Sequence, residues 1–247
     1  MRLDVFFSPN QVKPPDTQGR LVVIVDVLRA STTVATALGN GAKTVIPLEG
    51  PDDVITRSKE FARSQTLLAG EQKMHPITGF DLGNSPQAFT PEVVEGKTIL
   101  LTTTNGTRAL LGVQGARDIV VASYVNFTAV LAMMKVAASS NTDIAIICAG
   151  EEGSFTLEDA ACAGRYVKAI PKRAGLAVND AAAASVLIEK KYGDNIAKVF
   201  KESTHGQALQ SAGFGDDLAA AAEVDSYPVV PIWQDRQITK LGPERER

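Results

Sequence analysis

A repeat spaced by about 74 to 80 residues limits what this 247-residue chain can fold into more than any other feature of it. Asp26-Val27-Leu28-Arg29-Ala30-Ser31-Thr32-Thr33, a helical pattern, Gly41-Ala42 and an apolar run come first. They are matched in order by Thr102-Thr103-Thr104-Asn105-Gly106-Thr107-Arg108, a helical pattern, Gly115-Ala116 and another apolar run. Each half then reaches a second helical pattern, a second apolar run and the tripeptide Ala-Gly-Glu, at Ala69-Gly70-Glu71 and at Ala149-Gly150-Glu151. Chance supplies any one of these matches more readily than four in one order. The chain therefore reads as a single α/β domain over 1–247, with an internal duplication over about 20–90 and 97–165 and a helical C-terminal segment over about 166–225.

Residues 21–25, 44–46, 66–69, 98–101, 119–121 and 144–148 are short apolar runs that predict strands. Between them, 30–38 sets Val34, Ala37 and Leu38 on one helical face. Gly50-Pro51-Asp52-Asp53 opens a helix with proline and acids in its first turn, and Asn126 stands as N-cap for a helix over 127–138. Strands apolar at nearly every position need both faces covered, which predicts an α/β layered fold on a largely parallel or mixed sheet built from two similar halves. Val229, Val230, Ile232 and Trp233 predict a last strand, and Pro228 and Pro231 assign it to a sheet edge. The tail from Pro243 to Arg247 is expected to fray.

Lys and Arg total 25 against 28 Asp and Glu, a net charge of −3 with both signs dispersed, so neither nucleic acid nor an anionic membrane is an expected partner. No apolar run approaches the roughly 20 residues of a membrane span, and the first residues reach Asp4 and Pro9 too soon for a secretion signal. Cys148 and Cys162 show no metal-knuckle spacing and fit a reducing compartment, so the expected location is cytoplasmic. Ala-rich faces past residue 165 point to a homodimer.

Asp26 closes a buried apolar strand and is followed by Arg29, Ser31, Thr32 and Thr33 at a helix start. Strand ends and helix N-termini of α/β sheets collect anions, so Asp26 is a candidate for a divalent ion, Ser31 and Thr32 for phosphate oxygens and Arg29 for a bidentate clamp. The hydroxyls serve equally as helix caps, and Asp26 paired with Arg29 alone is a structural alternative. The matching turn offers Thr103, Thr104, Asn105, Gly106, Thr107 and Arg108 as a second anion cradle without a carboxylate, with a capped turn and a solvated Arg108 as the alternative. Glu71 and Glu151 are expected to face the same crevice, with Asp81, Asn84, Glu152, Glu158 and Asp159 as further oxygen donors, although Glu158 and Asp159 also suit the first turn of a helix. Oxygen donors with few histidines favour magnesium over zinc, and His75 and His205 are too isolated for a histidine site. A cysteine phosphatase loop fails because Ser154 and Lys168 stand where arginine is needed, Asp-x-Asp fails at Leu28, and neither Gly-x-Ser-x-Gly nor Gly-x-Gly-x-x-Gly occurs.

Taken together, residues 25–33, 68–71, 79–86, 102–108, 148–150 and 157–159, with Ser203-x-His205-Gly206, Gly213-Phe214-x-x-Asp217 and Val230-Pro231, resemble the 2-phosphosulfolactate phosphatase family over nearly the whole chain. The resemblance implies a three-layer α/β/α fold. It also implies a magnesium-dependent phosphatase that converts 2-phosphosulfolactate to sulfolactate and phosphate, a step of coenzyme M biosynthesis. Two places depart from the expected pattern: Glu71-Gln72-Lys73-Met74-His75 lacks a basic, glycine-containing loop, and Glu151-Glu152-Gly153 adds an acid. On this reading Asp26 and Arg29 are catalytic and Asp26, Glu71, Glu151 and Asp159 hold magnesium. Ser31, Thr32, Asn84, Thr103, Thr104, Asn105, Gly106, Thr107 and Arg108 bind a small anionic phosphorylated substrate, with Lys73 as a further cation. Whether water or Asp26 attacks phosphorus stays open. A phosphatase for another phosphorylated 2-hydroxy acid and a non-catalytic anion-binding module are the alternatives.

Overall fold

Burial on two faces explains the continuous apolar strands of the computed structural model, which describes residues 1–171 and 174–242. The tail from Pro243 falls outside the described residues. In strand β2 (Leu21–Val25) every residue is buried, with Leu21, Val23 and Val25 entering one core and Val22 and Ile24 the other. The remaining strands are β1 (Arg2–Phe6), β3 (Thr44–Pro47), β4 (Thr66–Gln72), β5 (His75–Pro76), β6 (Thr98–Thr102), β7 (Asp118–Ala122), β8 (Ile144–Cys148), β9 (Ala177–Val178), β10 (Pro231–Gln234) and β11 (Gln237–Lys240). They join one mixed sheet in the order β5-β4-β6-β3-β11-β10-β7-β2-β8-β1-β9.

The helices are α1 (Pro14–Thr17), α2 (Ala30–Gly39), α3 (Pro51–Ser58), α4 (Pro91–Val94), α5 (Gly106–Leu111), α6 (Phe127–Ser139), α7 (Leu157–Ala169), α8 (Asp180–Tyr192), α9 (Ile196–Glu202), α10 (Thr204–Ser211) and α11 (Gly215–Ala222). Side chains from α6 to α11 fill the first core, and those of α2 and α5 the second, so helices cover both sheet faces in three α/β/α layers. Val54 of α3 closes a smaller cluster with Ile46 and Leu100. Ala182 of α8 and Ala221 of α11 are buried inside the chain, so the Ala-rich faces do not of themselves require a second copy. Asn126 occupies the N-cap position of α6, but its side chain accepts the Ser123 N–H and donates to Val121 and Val229 carbonyls.

Strand β2 lies between β7 and β8, and β6 lies between β3 and β4, all in parallel pairings. The opening strand of each repeat unit is thus held between the later strands of the other. Three consecutive antiparallel pairings, β3 with β11, β11 with β10 and β10 with β7, make the two parallel blocks run in opposite senses.

One expectation is corrected, and one strand lies outside those expected. The last strand is interior, because Pro231 opens β10 opposite Lys240 while Ile232 and Trp233 pair with Val120 and Ile119, so the missing proline N–H falls at the start of the ladder. Strand β1 was hidden by Asp4 in an apolar run, and this buried carboxylate is answered by Arg20 at 2.7 Å. Because β10 and β11 join the two blocks, a chain ending after residue 228 is expected to lose its cooperative thermal transition by circular dichroism. A retained transition would assign the hairpin a peripheral role.

Candidate active site

A cavity of about 1350 Å³ forms where the turns after β2 and β6 converge, bounded by the β4–β5 hairpin, the segment after β8 and α10. Asp26 stands at its base, 5% exposed. Its Oδ1 accepts the Ala30 N–H at 3.0 Å, while Oδ2 has no hydrogen-bond partner among the described residues. Burial pushes the carboxyl up to about 6, with Glu71 and Glu158 adding to the rise and His205 opposing it. Gly106 abuts it from the second repeat: a Cβ there would lie 2.7 Å from Asp26 Oδ2 and 2.7 Å from Ala30 Cβ. Glycine at 106 therefore lets the two turns meet, a role different from the expected contact with substrate.

Several expected site residues are placed elsewhere by their hydrogen bonds. Ser31 Oγ accepts the Asp26 N–H at 3.0 Å, and Thr32 Oγ1 donates to the Val27 carbonyl at 2.7 Å and meets Ser123 Oγ at 2.7 Å. Both are 1% exposed and lie off the cavity wall, so they brace the start of α2 and do not offer hydroxyls to a phosphate. Asp159 is also away from the wall. Its Oδ1 accepts the Val27 N–H at 2.8 Å and Oδ2 the Gly150 N–H at 3.0 Å, so it ties the ends of β2 and β8 together. Burial, with the nearby charges of Asp26 and Glu158, raises its carboxyl well above the usual range.

Arg29 does line the cavity, but its partner is not Asp26. Nη1 donates to Asp217 Oδ2 at 2.7 Å, Nη2 donates to the Met74 carbonyl at 2.6 Å, and Cζ sits 4.3 Å from the Phe214 ring centroid. Ser85 Oγ donates to the other oxygen of Asp217 at 2.5 Å. Both Nη atoms expected to clamp a phosphate are thus engaged in a buried joint between the β4–β5 hairpin and α11.

Glu71 closes the opposite wall. Its Oε1 accepts both the N–H and the hydroxyl of Thr104, at 2.8 and 2.9 Å, and Oε2 accepts the Met74 N–H at 2.9 Å. Lys73 and Met74 turn the hairpin tightly, at φ values of 48° and 72°. Thr103 and Thr107 exchange reciprocal bonds, each N–H donating to the other's hydroxyl at 3.2 Å, and Asn105 Oδ1 accepts the Glu152 N–H at 3.0 Å. The turn after β6 is thus held by its own hydroxyls. Among the described residues, the cavity's Arg108 and Lys73 form no ion pair, which leaves two cations on the mouth for an anionic ligand.

Among the described residues, the acceptors without a partner at the cavity are Asp26 Oδ2, the half-buried Glu151 carboxylate, the exposed Glu49 and Glu152 carboxylates, and Asn84 Oδ1, which is fully buried. His205 also lines the wall, with Nδ1 3.2 Å from Glu158 Oε1. The sequence analysis set His205 aside as too isolated for a histidine site and gave Asp217 no role beyond its place in a motif. Both stand in the C-terminal motifs Ser203-x-His205-Gly206 and Gly213-Phe214-x-x-Asp217, the signal that was available for them.

Such a pocket brings unpartnered oxygen acceptors together with two cations that form no ion pair among the described residues. A family model described as 2-phosphosulpholactate phosphatase matches residues 6–236, and the chain belongs to that family. Similar proteins described as probable 2-phosphosulfolactate phosphatase occur in Caldanaerobacter subterraneus subsp. tengcongensis, 38% identical over 94% of this chain and 95% of the relative, and in Symbiobacterium thermophilum, 38% identical over 92% and 98%. Another with the same description, from Clostridium acetobutylicum, is 33% identical over 96% of this chain and 100% of its own length.

Asp217→Ala leaves Arg29 charged and buried, and is expected to lower unfolding stability by about 3–5 kcal/mol in urea titrations. The double replacement Arg29→Met with Asp217→Leu is expected to recover most of that loss. If the double variant is no more stable than Asp217→Ala, the joint is not held by this pair.

Proposed function

We propose that the protein hydrolyses 2-phosphosulfolactate to sulfolactate and phosphate with the help of magnesium. The observation that carries this reading is the buried Asp26 carboxylate, which presents one unpartnered oxygen to a cavity whose mouth holds two unpaired cations. Family membership and the relatives' printed names agree with it.

The residues fit magnesium better than a metal that needs a full protein cage. Among the described residues no three His, Cys, Asp or Glu side chains gather into such a cage. Magnesium keeps several waters and takes one or two carboxylates plus substrate phosphate oxygens. Asp26 Oδ2 and the Glu151 carboxylate would hold it, with Asn84 Oδ1 as a neutral donor. Glu71 and Asp159, whose oxygens all accept backbone or hydroxyl hydrogens, shape the site from outside. When bound, the ion neutralises phosphoryl charge and orients an attacking water.

The chain's own part is positioning. Arg108 and Lys73 attract the substrate's anionic groups at the mouth, while Asp159 and Glu71 fix the four backbone segments that carry Asp26, Glu151, Thr103 and Met74. A substrate with a second anion beside the phosphate uses both cations, and a sugar phosphate uses one. For that reason Arg108→Met is expected to raise KM for 2-phosphosulfolactate by about 10–100-fold with a smaller change in kcat.

The sign of the Asp26 shift yields a second test. With its folded-state pKa at about 6 against an ordinary 3.8, the carboxyl contributes stability below the ordinary value that is lost as pH rises through about 6. A bound cation offsets that loss. Magnesium is therefore expected to raise Tm more at neutral pH than at pH near 4, and Asp26→Asn to remove both that difference and magnesium-dependent phosphate release. Release that continues in EDTA, or a magnesium effect on Tm that survives Asp26→Asn, would contradict the assignment.

A further inference from the structure

His205 has no task in the reading above, yet its surroundings are specific. It is the second residue of α10, a helix whose N-cap Ser203 accepts the Gly206 N–H at 3.0 Å. The Glu158 carboxylate beside it is 1% exposed, and its second oxygen, Oε2, has no hydrogen-bond partner among the described residues. A carboxylate accepts only, so Nδ1 carries the hydrogen in the 3.2 Å contact. That leaves Nε2, without a partner among the described residues, as the ring nitrogen available to the cavity that His205 and Asp26 both line.

We propose that His205, held by Glu158, is the proton donor to the ester oxygen that leaves phosphorus. This rests on the phosphatase reading above. As the bond between phosphorus and the ester oxygen breaks, its electron pair stays on that oxygen, which takes the proton of Nε2–H and departs as the hydroxyl of the product. Water supplies the replacing oxygen, keeps one hydrogen on the new phosphate and releases the other to solvent, and solvent returns a proton to Nε2. The alkoxide of a 2-hydroxy acid is a strong base that needs this proton, and an aryl oxide is not.

The charged groups that act on His205 are Glu158 on α7, Glu151 after β8 and Asp26 after β2. Burial pulls its imidazolium down, and these three carboxylates, Glu158 first, more than offset that and hold it at about 8. Glu158 is a positioning residue, acting through the ring it holds.

The test compares kcat and kcat/KM for 2-phosphosulfolactate and 4-nitrophenyl phosphate across pH in native, His205→Gln and Glu158→Gln protein. It adds an NMR titration of the histidine ring nitrogens, which number only His75 and His205. His205→Gln is expected to lower kcat on the sulfonate substrate by about 10²–10⁴-fold, and by at least about tenfold less on the aryl ester. The basic limb of the native profile is expected to vanish in His205→Gln and to move to lower pH in Glu158→Gln. Equal losses on both substrates in a variant with native circular dichroism, or no loss on either, overturn the proposal. A native protein that releases no phosphate from 2-phosphosulfolactate overturns the reading above and the donor role with it. The titration, run in magnesium-free protein, then judges the pair by itself: a His205 midpoint above the ordinary 6.5 that Glu158→Gln lowers supports it, and a midpoint at 6.5 overturns it.

Discussion

The contact between Gly106 and Asp26 is the constraint around which the rest of the site is arranged. Two strand-to-helix turns, one from each half of the chain, approach so closely that a Cβ at residue 106 would stand 2.7 Å from the Asp26 carboxylate. The strands they leave, β2 and β6, belong to blocks that run in opposite senses, so the site is not the shared carboxyl edge of one parallel sheet. It exists because the β10–β11 hairpin reverses the sheet and because each block borrows its central strand from the other half. Sequence, topology and chemistry meet at that one contact.

Holding a carboxylate in such a place is unfavourable unless its surroundings are fixed. Asp159 fixes the backbone on one side through two N–H groups, and Glu71 fixes the other through Thr104 and Met74. Arg29 with Asp217 then ties the hairpin to the C-terminal helices. The side chains of Arg29, Glu71, Thr103, Thr104, Asn105 and Thr107 are thus engaged with protein, and Asp26 Oδ2, Glu151, Asn84, Arg108, Lys73 and His205 are left for a ligand, with Glu49 and Glu152 exposed at the rim. This division of labour is what makes a rigid wall compatible with a small number of reactive groups.

Six strands were legible because their residues are apolar on both faces, a pattern that only a covered sheet requires. Strand β1 was not, because Asp4 looks like a break until Arg20 is seen beside it at 2.7 Å. The edge assignment of β10 failed on Pro231, since sequence does not say which end of a ladder a proline occupies. Within the site, Asp26 and the turn around Thr103 to Arg108 were visible as strand-end motifs. The inward direction of Ser31 and Thr32 was not, because a hydroxyl at a helix start serves a cap, a neighbouring carbonyl or a ligand equally well. The partner of Arg29 was hidden for a different reason: Asp217 lies 188 positions away, beyond any local pattern. His205 was discounted by counting histidines, when its chemistry depends on a glutamate in another helix.

The most direct test of the central claim is anomalous diffraction from crystals grown with manganese and sulfolactate. Our account predicts a peak in direct contact with Asp26 Oδ2 on the cavity side, with the sulfolactate anions reaching toward Arg108 and Lys73. An ion bound away from Asp26, or sulfolactate ordered in the cavity with no ion beside that carboxylate, would contradict it.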